Sequence, residues 1–185
     1  VICMFYGWFS DVIGESLHGS YNAQVDTSFR WGMSWFIFSE VMFFAAFFGA
    51  LFYTRHFSVP WLGGEGTKIL THDYLWPKFN AIWPLMETPN KTAFTQIKEV
   101  IPAWGVPALN TIILLSSGVT VTLAHWSLKK NNRTGLCWWL FATVFLGFLF
   151  VYFQATEYVH AYHELGLTLG SGVYGSTFFM LTGFH

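Results

Sequence analysis

The chain has 185 residues, 54% of them hydrophobic, 21% aromatic and only 10% charged, with a mean hydropathy of +0.43. Soluble domains carry about 25% charged residues, so this composition excludes an ordinary cytosolic enzyme and a disordered region. A formal net charge of -1 leaves no basic surface for nucleic acid, and a membrane protein is expected.

The opening VICMFYGWF (1–9) reads as the tail of an apolar segment. It has neither the positive n-region nor the small-residue cleavage site of a signal peptide. The first full span is expected over 29–53, with Arg30 at its start. Residues 54–105 form a long loop rich in Pro, Gly and Trp (PWLGGEG, LWP, IWP, PAWGVP), whose tryptophans suit an interfacial aromatic belt lying on the bilayer. A second span is expected over 106–126 and a third over 136–158; each of the three exceeds the roughly 20 apolar residues that cross a hydrocarbon core. Residues 176–185 begin another apolar helix too short to cross, so the chain is expected to be an internal fragment, a single but partial transmembrane domain.

The spans are read as helices and the fold class as all-α, a polytopic helix bundle. No polar alternation favours strands, and an open sheet edge would leave backbone groups unpaired in lipid. Between the second and third spans, SLKKNNRT packs Lys129, Lys130 and Arg133 into a short loop, which the positive-inside bias puts in the cytoplasm. The 54–105 loop and the segment after Tyr158 are then exterior.

Glu40 is the sharpest candidate for chemistry. At three and four residues' spacing its neighbours are Phe36, Ile37, Phe43 and Phe44. A carboxylate there is costly to ionise, so a neutral carboxyl is expected unless another helix supplies a partner. Intramembrane acids default to function, here a proton-related site, against the plainer reading of a hydrogen-bonded packing group.

The third span ends in FQATEYVHAYHE, which puts Glu157, His160 and Glu164 on one face with His163 close by. Glu-x-x-His is a unit of di-iron bundles, but such a site needs a second copy from another helix. His18, His56, His72, His125 and His185 are scattered singly, so an interfacial polar cap is preferred and no metal is expected. His125, at the cytoplasmic edge of the second span, is read as an interfacial histidine rather than a haem ligand. Arg30 can meet a lipid phosphate or snorkel to the interface.

Weaker motifs receive plainer readings. GSGVYG (170–175) matches G-x-G-x-x-G but follows a membrane helix and not a strand, so it is read as a flexible lead into the next helix. GGEGTK (63–68) lacks phosphate-loop spacing and is read as a turn. Asn110, Thr111, Ser116, Ser117, Gly118, Thr120 and Thr122 make the second span suited to close helix packing with interhelical hydrogen bonds. Cys3 and Cys137 lie far apart in apolar runs and offer no disulfide or zinc framework. Two sequons begin at Asn90 and Asn132.

Five strings carry a family resemblance: DVIGES (11–16), FRWGMSWFIFSEVMFF (29–44), ALNTIILLSSGVTVTLAHWSL (108–128), FQATEYVHAY (153–162) and GVYGSTFFMLTGFH (172–185). In that order, and over nearly the whole chain, the sequence resembles subunit III of the haem-copper cytochrome c oxidases. The resemblance implies a seven-helix subunit, of which this chain would hold the end of helix two, helices three to five and the start of helix six. It implies no haem or copper here, those lying in partner subunits I and II, with cytochrome c as electron donor to the complex. It also implies bound phospholipid, stabilisation of the catalytic subunit and support of proton uptake. Glu40 falls on the family's helix-three glutamate, and Arg30 and Glu157 match characteristic positions. Family members often carry basic residues where this chain has Ser10 and Gly14, and a second histidine where it has Trp126. The VPWLGGEGTK loop resembles the bacterial form, so a bacterial plasma membrane is expected rather than a mitochondrial inner membrane.

Two rivals come from other classes. A proton-coupled transporter using Glu40 would want Gly or Pro breaks at mid-membrane, whereas Gly32 and Gly49 lie near the ends of the span. A membrane metalloenzyme would be built on Glu157, His160 and His163.

Overall fold

A computed structural model describes all residues, Val1–His185, and contains helices and turns without strands. The all-α expectation holds. Two compact units are present, the first Val1–Ala50 with His185 and the second Leu51–Phe184.

In the first unit, α1 (Ile2–Leu17) leads through a short turn into α2 (Ala23–Tyr53). The turn is held by its own side chains. Asn22 Oδ1 accepts from the Val25 N–H at 3.0 Å, and the Tyr21 hydroxyl donates to Glu15 Oε2 at 2.8 Å while its ring meets Phe29 edge-on. That hydrogen bond to Glu15 raises the Tyr21 phenol above its ordinary value, with a smaller contribution from burial.

α2 has 31 residues, about 46 Å of helix. The apolar helical run does not stop at Tyr53, where the sequence reading ended its span. A π-helical turn, Thr54–Ser58, carries it into α3 (Val59–Leu62), giving a continuous candidate span Ala23–Leu62. Ring pairs four residues apart keep the backbone helical past the polar Arg55 and His56: Phe52 with His56, Tyr53 with Phe57 and Phe57 with Trp61. Pro60 follows directly on the π-helical turn, the kind of local adjustment by which a continuous helix accommodates the bond that a proline cannot donate.

The second unit is built on an antiparallel hairpin, α5 (Val106–Lys129) and α6 (Arg133–His163), preceded by the short α4 (Ile69–Leu75) and followed by α7 (Val173–Phe179). α5 and α6 are long and apolar enough to cross a membrane. Their connection is three residues long. Asn131 adopts φ +54°, and Asn132 caps α6 by accepting from the Gly135 N–H at 3.0 Å.

The 54–105 segment carries a small core of its own. Val59, Phe79 and Leu85 form a small buried core with Leu62, Trp76, Trp83 and Val173 around it, and the Arg55 guanidinium lies 5.6 Å over the Trp83 ring. Trp76 and Trp83 pack half-buried against this core, while Trp61 and Trp104 are exposed. The aromatic signal specifies amphipathic rings but not which neighbour covers them.

The second core joins Ile97, Ala161, Leu165, Leu167 and Phe179. Two backbone bonds hold it shut, Thr95 N–H to Gly170 O at 3.1 Å and Lys98 N–H to Leu165 O at 2.9 Å. Gly166 sits at φ +66°, and a Cβ there would lie 2.6 Å from Gln96 O. Both conditions demand glycine. Gly166→Ala is expected to destabilise the full-length protein by more than about 1 kcal/mol. Gly118→Ala, which faces open space on α5, is expected to leave stability within about 0.5 kcal/mol. Thermal unfolding of the two purified variants in detergent checks the contrast.

Candidate functional site

Glu40 lies mid-way along α2 and gains the partner that the sequence could not name. Its Oε2 is 2.6 Å from His185 Nδ1, and the His185 ring packs edge-on against Phe44, one turn along the same helix. At that distance a proton lies between the two groups, carried either by the carboxyl or by the imidazole. His185, read from sequence as a lone histidine, is therefore the group that hydrogen-bonds the acid. Glu40 is 35% exposed in the chain alone, and no residue of α2 is fully buried.

Chemically the pair is a carboxyl and an imidazole sharing one hydrogen on an apolar helix face, an arrangement that can hold and exchange a proton. The other acids and bases of the candidate set pair locally. Arg30 bridges to Asp26 at 3.0 Å across one helical turn, with both side chains largely exposed. His160 bridges to Glu164 at 3.0 Å in the same way. Such exposed pairs add little to stability, so the Arg30 guanidinium and the His160 imidazole remain accessible. His125 and His163 are exposed.

Glu157 faces a recess shared by α5 and α6, with Asn110 and Gln154. Nowhere do three or more His, Cys, Asp or Glu side chains come together in metal-ligating geometry, so Glu157, His160 and His163 do not assemble with a further helix. Cys3 and Cys137 are both free and exposed.

The polar residues of α5 divide between bonds within their own helix and bonds across to α6. Thr111, Ser116, Ser117 and Thr122 donate to carbonyls of their own helix three or four residues back. Two polar residues cross to α6: Thr120, whose hydroxyl is 2.7 Å from that of Thr143, and Asn110, whose Nδ2 donates to Phe150 O at 3.3 Å and Gln154 Oε1 at 3.4 Å. Ala124, 1% exposed, is the small residue that allows the close approach.

The glycine-rich 170–175 string is not a flexible lead. The Ser171 hydroxyl is buried, accepts from the Thr168 N–H at 2.8 Å and donates to Gly166 O at 2.9 Å. Gly172 takes φ +83° to start α7, and a Cβ on Gly175 would land on the Thr168 carbonyl. The two sequon asparagines are turn formers, Asn90 Oδ1 accepting from Thr92 and Ala93 N–H groups and Asn132 capping α6.

A family model for cytochrome c oxidase subunit III matches residues 1–71 and 67–185. The chain belongs to the cytochrome c oxidase subunit III family. It is 40% identical to cytochrome c oxidase subunit 3 of Pongo pygmaeus over 181 residues, covering 97% of this chain and 58% of that protein. It is also 40% identical to the Dugong dugon subunit over 187 residues and to the Latimeria chalumnae subunit over 186, each match covering all of this chain and 59% of the relative. The chain therefore spans a little under three-fifths of the curated relatives it matches. The family assignment and the three apolar helices together make it a membrane protein.

The Glu40–His185 geometry carries a prediction. A hydrophobic carbodiimide attacks the neutral carboxyl, so His185→Ala, which removes the imidazole that can carry the shared proton, is expected to raise labelling of Glu40 in intact membranes. Glu65 and Glu87, outside the spans, are expected to stay largely unlabelled. Peptide mapping of the labelled full-length protein measures both.

Proposed function

We propose that this chain serves as the accessory, non-redox subunit III of a proton-pumping cytochrome c oxidase. The complex takes electrons from cytochrome c, reduces oxygen to water and moves protons across the membrane. In this reading haem and copper reside in partner subunits I and II, and this chain stabilises the catalytic subunit, holds phospholipid and supports proton uptake. The observation that carries it is the family match running through both parts of the chain, residues 1–71 and 67–185.

Within that role Glu40, paired with His185, is the proton-related site. Arg30, His125 and His160 are placed for lipid head groups or polar packing, being exposed, and Glu157 for polar packing beside α5. The Lys129, Lys130 and Arg133 turn lies in the cytoplasm by the positive-inside bias, which puts the 54–105 segment outside. The resemblance of its VPWLGGEGTK string to the bacterial form supports a bacterial plasma membrane as the location.

The test is affinity purification of the full-length parent from mild detergent with a reduced-minus-oxidised optical spectrum of the eluate. A haem a-type spectrum and two larger co-purifying partners are expected; an intact, undissociated but colourless preparation would overturn the assignment. Deleting the chain is expected to shorten the turnover lifetime of the remaining oxidase and slow its proton uptake. Unchanged values for both would refute the stabilising and proton-uptake roles while leaving the family assignment standing.

A further inference from the structure

Asn110 stands out among the polar groups of the second unit. It lies one turn inside α5, is 3% exposed, and spends both amide hydrogens on α6 through Phe150 O and Gln154 Oε1. Its Oδ1 is buried with no hydrogen-bond partner in the chain. An orphaned buried acceptor costs about 1–3 kcal/mol, and native proteins resolve such groups with an ordered water or ion.

Asn110 lines a recess of about 290 Å³ whose other polar members are Thr111, Gln154, Glu157 and Thr182. The hydrogens of the two threonines are already committed, Thr111 to Pro107 O and Thr182 to Phe178 O. Glu157 makes no hydrogen bond within the chain, and the Gln154 amide uses only its oxygen, as acceptor from Asn110. The recess thus offers two unfilled acceptors, Asn110 Oδ1 and the Glu157 carboxyl, and one unused donor, Gln154 Nε2. A water molecule supplies the complement: two hydrogens to donate and a lone pair to accept, about three bonds, as internal waters typically make.

We propose that the recess between α5 and α6 is an internal water site, in which a water bridges Asn110 of one helix to Glu157 and Gln154 of the other. The volume admits several waters, each occupying about 30 Å³ in the liquid. Asn110 Oδ1 exposes almost none of its surface, so the group that meets it can be no larger than a water, and a lipid head group is too large. The bridge gives Glu157 an exchangeable hydrogen-bond partner within an otherwise apolar wall of Leu114, Phe150 and Phe178, and ties the hairpin together near the end opposite its tight turn.

The experiment has two parts, both on the full-length subunit in its native assembly. First, a density map at a resolution that shows ordered solvent is expected to contain an isolated peak about 3 Å from Asn110 Oδ1. Head-group density continuous with a lipid, or the Gln154 amide nitrogen closed directly onto Oδ1, would overturn the proposal. Second, Asn110→Leu, Glu157→Leu and the double variant are compared by thermal unfolding. Because Asn110 and Glu157 share no direct bond, a bridging water predicts non-additivity: the double variant should lose clearly less than the summed single losses, with single losses on the order of 2–4 °C. Strict additivity, or Asn110→Leu being as stable as the parent, would overturn it. Should Glu157→Leu fail to assemble, Asn110→Leu and the map still decide between the outcomes.

Discussion

A hydrocarbon solvent offers no hydrogen bonds, and the backbone and side-chain polarity of this chain is arranged around that deficit. The three long apolar segments take the one single-segment form that pairs every interior N–H and C=O internally. Their hydroxyls follow the same rule, with Ser34, Ser39, Ser116 and Thr122 donating back to carbonyls of their own helices. Few polar groups are left to join one helix to another. In the hairpin these are Thr120 and Asn110, so the specificity of the α5–α6 pairing rests on two crossings and the close approach at Ala124.

Where the backbone leaves a helix it is tied at once to something else. Asn132 caps α6 immediately after α5 ends, and the string following α6 is stitched by Ser171 and by backbone bonds to 95–98. The buried cores of the second unit join non-helical segments to helix ends, with Ala161 of α6, Phe179 of α7 and Val59 of α3 among their members. The large apolar side chains of the spans remain exposed in the chain alone. An exposed apolar surface of that extent marks contact with a membrane or with another protein.

The acids divide in the same terms. Asp26, Glu87 and Glu164 pair one turn away with a cation or histidine on an exposed surface, where water does most of the solvation. Glu40 has no such local partner, and Glu157 meets the nearby His160 only electrostatically, without a hydrogen bond. The first finds an imidazole 145 residues further along the chain, and the second faces a polar recess contributed by another helix. An ionisable group within an apolar span is tolerated when some long-range group offsets the cost of taking it out of water.

Helix identity, the number of spans and the family were legible in the sequence, because hydropathy length and local strings such as FSEVMFF report on properties a residue shares with its immediate neighbours. Glu40 was legible as an anomaly for the same reason. Its partner was not, since nothing local marks His185 as different from His18 or His125, and only folding brings it to 2.6 Å. The packing of Trp76 and Trp83 against Val59, Phe79 and Leu85 and the tying of the glycine string to residues 95–98 were likewise decided by tertiary contacts. An amphipathic ring and a G-x-G-x-x-G pattern are each compatible with several surroundings. Asn110 is the clearest case: its residue type predicted an interhelical bond, but only the packing of α5 on α6 decides that two of its hydrogens are satisfied while its oxygen is left seeking a donor.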